Sequence, residues 1–189
     1  MQIFRLFIIF SVFTFVIFGC SFEHHHNSVL QYRKNFTPQE QHIMQAARGI
    51  ISRAYFGTLI TIDQNGNAKA RLMEPFAPEK HFVIYLATNP KSRKVHEIQQ
   101  NHQATLHYID APRTGYVSLY GKITIVTNDS IKKAHWKNGW ERFYPNKSNG
   151  YMLLKFIPDY LEVISIRDSL TGDANTWQPA RVEFFSSSK

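Results

Sequence analysis

The chain has 189 residues, a formal charge of +8 and a single cysteine, Cys20. One cysteine excludes an internal disulfide and a multi-thiolate metal site, and the length suits one domain with a proper core. The basic balance suits anionic small molecules or anionic headgroups. Nucleic acid is not expected as a partner, because Lys and Arg are interspersed with Asp and Glu and the aromatics form no stacking platform.

Arg5 is the only early charge, and an almost unbroken apolar run follows over residues 6–18. That run is short for a permanent membrane span, which needs about 20 residues, and fits an export-signal core of about 7–15. Ile17-Phe18-Gly19-Cys20 resembles the lipobox of bacterial lipoproteins, in which a small residue precedes the cysteine that is lipidated and becomes the new N-terminus. An uncleaved anchor or a buried cysteine would be the alternatives. The resemblance implies a signal peptide over 1–19, a lipid on Cys20, and a protein anchored in the bacterial cell envelope, facing the periplasm or the exterior. Residues 20–35 are polar and without apolar period, so they read as a tether; His24-His25-His26 within it is a solvated linker or a weak metal ligand set.

Thr37-Pro38-Gln39-Glu40 forms a capping box with Pro at the first helical position, and Ile43, Met44, Ala47, Ile50 and Ile51 follow at helical spacing. The pattern then changes to strands over 55–63 and 68–75, joined at Asn65-Gly66, a strong hairpin signal. Further strands are expected over 81–87, 104–110, 116–126, 151–157 and 160–167, with short helices over 92–100 and 129–140. Residues 169–189 read as a partly ordered C-terminal arm. The fold class is therefore mainly β with peripheral helices, an α+β chain of six or seven antiparallel strands in a closed or half-open barrel, since closure removes exposed edges. No GxGxxG, P-loop, HExxH or Gly-x-Ser-x-Gly motif occurs, which argues against nucleotide-binding α/β folds, zinc proteases and serine hydrolases.

Two strand-like runs deliver Arg71 and then Ser92-Arg93-Lys94 to one neighbourhood. An Arg fork, a compact Lys charge and backbone N–H groups at a helix start suit a phosphate dianion, although three basic residues near a turn also make an ordinary solvated loop. His107 and Tyr108 lie on a strand, where core or interface packing competes with acid–base work. Glu74 would point at the cleft or pair with a nearby Lys.

The hairpin TLITIDQNGNAKARLM, the segment FVIYLATNPKSRKVHEI, the strands LHYID and GYVSLYGKITIV, and KKAHWKNGWERFYP before YMLLKFIPDYLEVIS occur in an order that resembles the pyridoxamine 5′-phosphate oxidase-like superfamily, in its general stress protein branch. The resemblance implies a split β-barrel domain over 36–168 that forms a homodimer and binds FMN along the dimer interface. It implies that Arg71, Ser92, Arg93 and Lys94 bind or neighbour the phosphate. Leu72 and Met73 would lie beside the flavin ring, with Ala87 and Thr88 closing the same pocket. Trp140 or Trp136 would cover the ring from the other subunit, or serve interface packing alone. The implied activity is FMN-dependent oxidation or reduction of a small molecule, with the chemistry on the flavin and no catalytic side chain required. The alternative is a non-enzymatic protein that stores or senses a flavin or haem-type ligand. The tail, with Trp177, Pro179 and Arg181, departs from the vitamin B6 oxidases, so pyridoxamine phosphate oxidation is not carried over.

Overall fold

The computed structural model describes residues 31–33, 35–110, 115–146 and 150–186. The apolar N-terminal run, Cys20 and the His24-His25-His26 triplet lie outside the described residues. The first helix, α1 (Pro38–Ala54), begins at the Thr37 cap. Thr37 Oγ1 accepts from Glu40 N at 3.2 Å, and Thr37 N donates to Glu40 Oε2 at 2.9 Å, so each satisfies a donor that a helix start leaves open. Arg33 Nη1 donates to Glu40 Oε1 at 2.6 Å, and this guanidinium is the main reason the Glu40 carboxyl is held down at about 2. The apolar stripe Ile43, Ala46, Ala47, Ile50 and Ile51 is buried against the barrel.

Seven strands form one antiparallel sheet: β1 (Gly57–Ile62), β2 (Ala68–Met73), β3 (Ile84–Thr88), β4 (Gln103–Ile109), β5 (Gly115–Ile125), β6 (Met152–Ser165) and β7 (Ala180–Glu183). Their order is β2-β1-β4-β5-β6-β3, with β7 also paired to β6. The two ends of this path meet at one point. Pro75, just after β2, bridges to Leu86 of β3, and Phe76 N donates to Tyr85 O at 2.9 Å. The sheet therefore curls into a barrel that closes after the C-terminal end of β2 and stays split along the rest of that strand. Alternation directs Leu59, Leu106, Leu119, Phe156 and Leu161 into the core, where all are fully buried.

Besides the later start of β3, where a 3₁₀ turn at Lys80–Phe82 takes the first residues expected as strand, the strands differ from the sequence expectation at two places. The segments 151–157 and 160–167 are one strand, β6, because Pro158 falls opposite Gly121 where the β5–β6 register shifts. A Cβ on Gly121 would stand 2.2 Å from Ile157 O and 2.5 Å from Pro158 Cα, so glycine is needed for the strands to approach. The bulge accommodates the residue that lacks an N–H, and the strand continues through it. The second difference is β7, which comes from the segment read as an arm. Val182 and Phe184 alternate inward and are buried, while Arg181 and Glu183 face solvent.

The helices that lie wholly among the described residues are α1, α2 (Arg93–Gln100) and α3 (Asp129–Ala134), with 3₁₀ turns at Lys80–Phe82 and Trp140–Arg142. The helix expected to run to residue 140 stops early, with Gly139 in the left-handed region at φ 84 before the second turn. Among the described residues no helix is long and apolar enough to cross a membrane.

Candidate functional site

The open seam lies between β2 and β3, and α2 begins a few residues after β3. Arg71 from β2, Thr61 from β1, Thr88 from the end of β3, and Ser92, Arg93, Lys94 and Glu97 around the start of α2 form one polar network there. Glu97 is its centre and is only 2% exposed. Arg71 Nη2 donates to Glu97 Oε2 at 2.7 Å, Thr61 Oγ1 donates to the same oxygen at 2.5 Å, and Arg93 Nε donates to Oε1 at 2.8 Å. Arg71 Nη1 also donates to Thr61 Oγ1. Burial alone would raise the Glu97 carboxyl, but the Thr61 hydroxyl and the Arg71 guanidinium more than offset it, so the group is held below the usual carboxylate range.

The second half of the network is less neutralised. Lys94 Nζ donates to Thr88 Oγ1 at 3.0 Å, and Thr88 Oγ1 lies 3.1 Å from Ser92 Oγ. Desolvation, followed by the nearby Arg71 charge, pushes the Lys94 ammonium below its ordinary value. Two guanidiniums thus pair with a single carboxylate, and a third cation, Lys94, stands nearby on Thr88. Ser92 bonds to Thr88 and makes no side-chain cap on α2, which leaves the first-turn N–H groups of that helix without a side-chain acceptor. Cation excess, hydroxyls and a helix start form the donor set that a phosphate dianion needs, so the residues present fit the phosphate end of FMN.

Five of the residues singled out from sequence, Arg71, Thr88, Ser92, Arg93 and Lys94, meet in this network. Leu72 lies on the opposite face of β2 and is 67% exposed. Met73 shares the Arg71 face and packs against the main core. Ala87 lies on the opposite face of β3 from Thr88, beside Val83 and Tyr85 in a second apolar cluster. Trp140 belongs to that cluster, with its ring 5.6 Å from Phe76, 5.9 Å from Trp136 and 5.6 Å from Tyr144, so within its own chain it packs among aromatics. Glu74 accepts from Lys137 Nζ at 2.7 Å and from the Tyr55 hydroxyl at 3.1 Å, and the Lys137 contact is the main reason its carboxyl is lowered. His107 Nδ1 is 2.8 Å from Ser118 Oγ, its ring lies 5.4 Å from Tyr116, and burial lowers its pKa. Thr61 and Glu97 were missed by the sequence reading. Glu97 stands four residues after Arg93 on a helix, a spacing that makes an ion pair legible, whereas Thr61 joins only through tertiary pairing.

One outer face of the sheet is mixed and carries exposed apolar side chains. Leu72 is opposite Thr58 across β2 and β1, and Thr58 is opposite His107 across β1 and β4. The same face carries Phe56, 44% exposed, and Ile109, 58% exposed.

A seven-stranded antiparallel sheet curled into a split barrel is the architecture of the split-barrel, FMN-binding class. The model of the family described as "Pyridoxamine 5′-phosphate oxidase like" matches residues 43–165, and the chain belongs to that family. Among solved structures it is similar to a protein from Clostridium acetobutylicum related to general stress protein 26, with 18% identity and a TM-score of 0.62 over 76% of this chain and 95% of that one. General stress protein 26 from Bacillus anthracis aligns with 23% identity and a TM-score of 0.57 over 76% and 97% of the two chains. A pyridoxamine 5′-phosphate oxidase-related, FMN binding protein from Nostoc punctiforme gives 14% identity and a TM-score of 0.56 over 79% and 97%. At these identities the likeness is one of fold. A comparison with curated proteins finds no match.

Proposed function

We propose that this chain is an envelope-tethered, FMN-binding homodimer that acts as an FMN-dependent oxidoreductase on a small molecule. The gathering of Arg71, Arg93 and Lys94 around one carboxylate that pairs with the two guanidiniums only, with Lys94 on Thr88 and Ser92 alongside, is the observation that supports FMN most directly. Arg71 is held in place by Glu97 and Thr61, and so presents a fixed guanidinium to the phosphate. Lys94 uses one N–H on Thr88 and has two more for phosphate oxygens. Leu72, Met73 and Ala87 supply apolar surface beside the ring, and the exposed face around Leu72, Phe56 and Ile109 is where a second copy would cover it. FMN, when bound, supplies hydride chemistry; the protein's part is to hold, orient and shield. A lipid on Cys20 would tether the domain, so electrons would have to come from a donor outside the cytoplasm.

The test is an absorbance spectrum of the full-length chain before and after adding FMN. Flavin bands retained through gel filtration are expected, and Arg71→Ala combined with Lys94→Ala should abolish them. A colourless protein that takes up no FMN would reject the reading. If flavin binds but no reduced nicotinamide or quinol reduces it, storage or sensing of a flavin or haem-type ligand becomes the assignment.

A further inference from the structure

At the closed end of the seam, away from the basic network, a cleft of about 390 Å³ opens between α1 and the chain that links β2 to β3. That volume is in the range of small-molecule pockets, roughly 300–1,000 Å³. Ile51, Tyr55, Pro75, Phe76 and Pro78 make its walls mostly apolar, and Tyr108 lines its inner side. Tyr108 is 1% exposed, and its hydroxyl has no hydrogen-bond partner among the described residues. The ring lies directly on Gly57, where a Cβ would stand 2.6 Å from Tyr108 Cε1, so the two positions are fitted to each other. Phenylalanine would satisfy that packing equally. The buried hydroxyl is therefore a cost in the free protein, because a polar group taken from water without a partner is destabilising.

Arg48 stands at the mouth of the cleft. Its guanidinium donates to Pro78 O at 3.2 Å and to Glu79 O at 3.1 Å, and its Cζ lies 4.4 Å over the Phe82 ring. Both partners are neutral carbonyls, and among the described residues no carboxylate pairs with this cation.

We propose that the cleft is a second small-molecule site, for a single-ring aromatic carboxylate bearing a further hydrogen-bonding group. Its carboxylate meets Arg48, its ring lies against Pro75 and Phe76, and its polar group pairs with the Tyr108 hydroxyl, which is sealed in the free protein and is uncovered when the ligand displaces the cleft wall. The cradle at the open seam plays no part in it.

Titration calorimetry of the full-length chain with 4-hydroxybenzoate, 3-hydroxybenzoate and benzoate tests this. At least one hydroxybenzoate should saturate in the sub-millimolar range and bind more tightly than benzoate. Tyr108→Phe should weaken that hydroxybenzoate about tenfold while leaving benzoate unchanged, because only the hydroxylated ligand loses a partner. Arg48→Gln should weaken all three. Tyr108→Phe should keep or raise the melting temperature, which certifies the fold. Three results would overturn the proposal: no saturable binding up to about 10 mM, equal losses for benzoate and hydroxybenzoate in Tyr108→Phe, or loss of binding in the Arg71→Ala, Lys94→Ala protein.

Discussion

Single residues set how the stability of the fold depends on pH. Glu97 is ionised and buried, and its folded pKa lies below the unfolded value, so the stabilisation it gives is complete above the ordinary carboxylate pKa and is lost as pH falls through the folded one. Glu40 obeys the same sign, and its window is explicit: stabilisation is full above 4.5 and disappears toward about 2. Denaturant midpoints measured from neutral pH to about pH 2 should therefore fall across that range, and Glu40→Gln should flatten the fall. An Glu40→Gln profile parallel to wild type would rule out Glu40 as a contributor. Glu97→Gln should cost about 1–3 kcal/mol at neutral pH, because Arg71 and Arg93 lose a charged acceptor. The cationic members of the cradle were legible in the sequence because Arg71, Ser92, Arg93 and Lys94 fall at strand and helix ends, where side chains reach an opening. Thr61 and Glu97 were not, because their meeting requires β1 and α2 to be brought together across 36 positions.

At the scale of elements, local chemistry was a reliable guide where a cap or turn fixes the backbone, as at Thr37 and at Asn65-Gly66. It failed where tertiary pairing overrides a local rule. Pro158 looks like a strand break, yet β6 runs through it because the bulge opposite Gly121 removes the need for its N–H. β7 was hidden by its shortness and polar surroundings, although Ala-Arg-Val-Glu-Phe alternates as a strand should. That last strand is a structural closure rather than an appendage. Phe184 is fully buried with its ring 5.6 Å from Phe82, and Phe184 N donates to Asp159 O at 2.9 Å. Phe184→Ala should destabilise by about 3–5 kcal/mol, the cost of a large core cavity. Urea unfolding reads this directly, and a loss below about 1 kcal/mol would mean that the C-terminal segment detaches without harm to the barrel. Thr37→Ala, by contrast, should cost only about 1 kcal/mol, since it removes a cap and leaves the apolar face of α1 intact.

At the scale of the whole molecule, a polar cradle on one side of β2 and an outer face with exposed apolar side chains on the other belong to a single arrangement. Arg71 and Leu72 are adjacent residues on opposite faces of one edge strand, so a ligand seated at the seam and a second copy on the sheet would share that strand. Leu72 at 67% exposure, with Ile109 at 58% and Phe56 at 44%, leaves large apolar side chains in water unless another surface covers them. Leu72→Lys places a charge at the middle of that surface while disturbing little of the chain's own packing, so the fold should lose no more than about 0.5 kcal/mol. Sedimentation velocity should then show a dimeric wild type and a monomeric variant, and flavin retention through gel filtration should fall together with the dimer. A Leu72→Lys protein that stays dimeric would move the interface elsewhere. A monomer that keeps its full flavin complement would show that one chain completes the cradle alone, because the proposed phosphate donors Arg71, Arg93 and Lys94 all come from the same subunit.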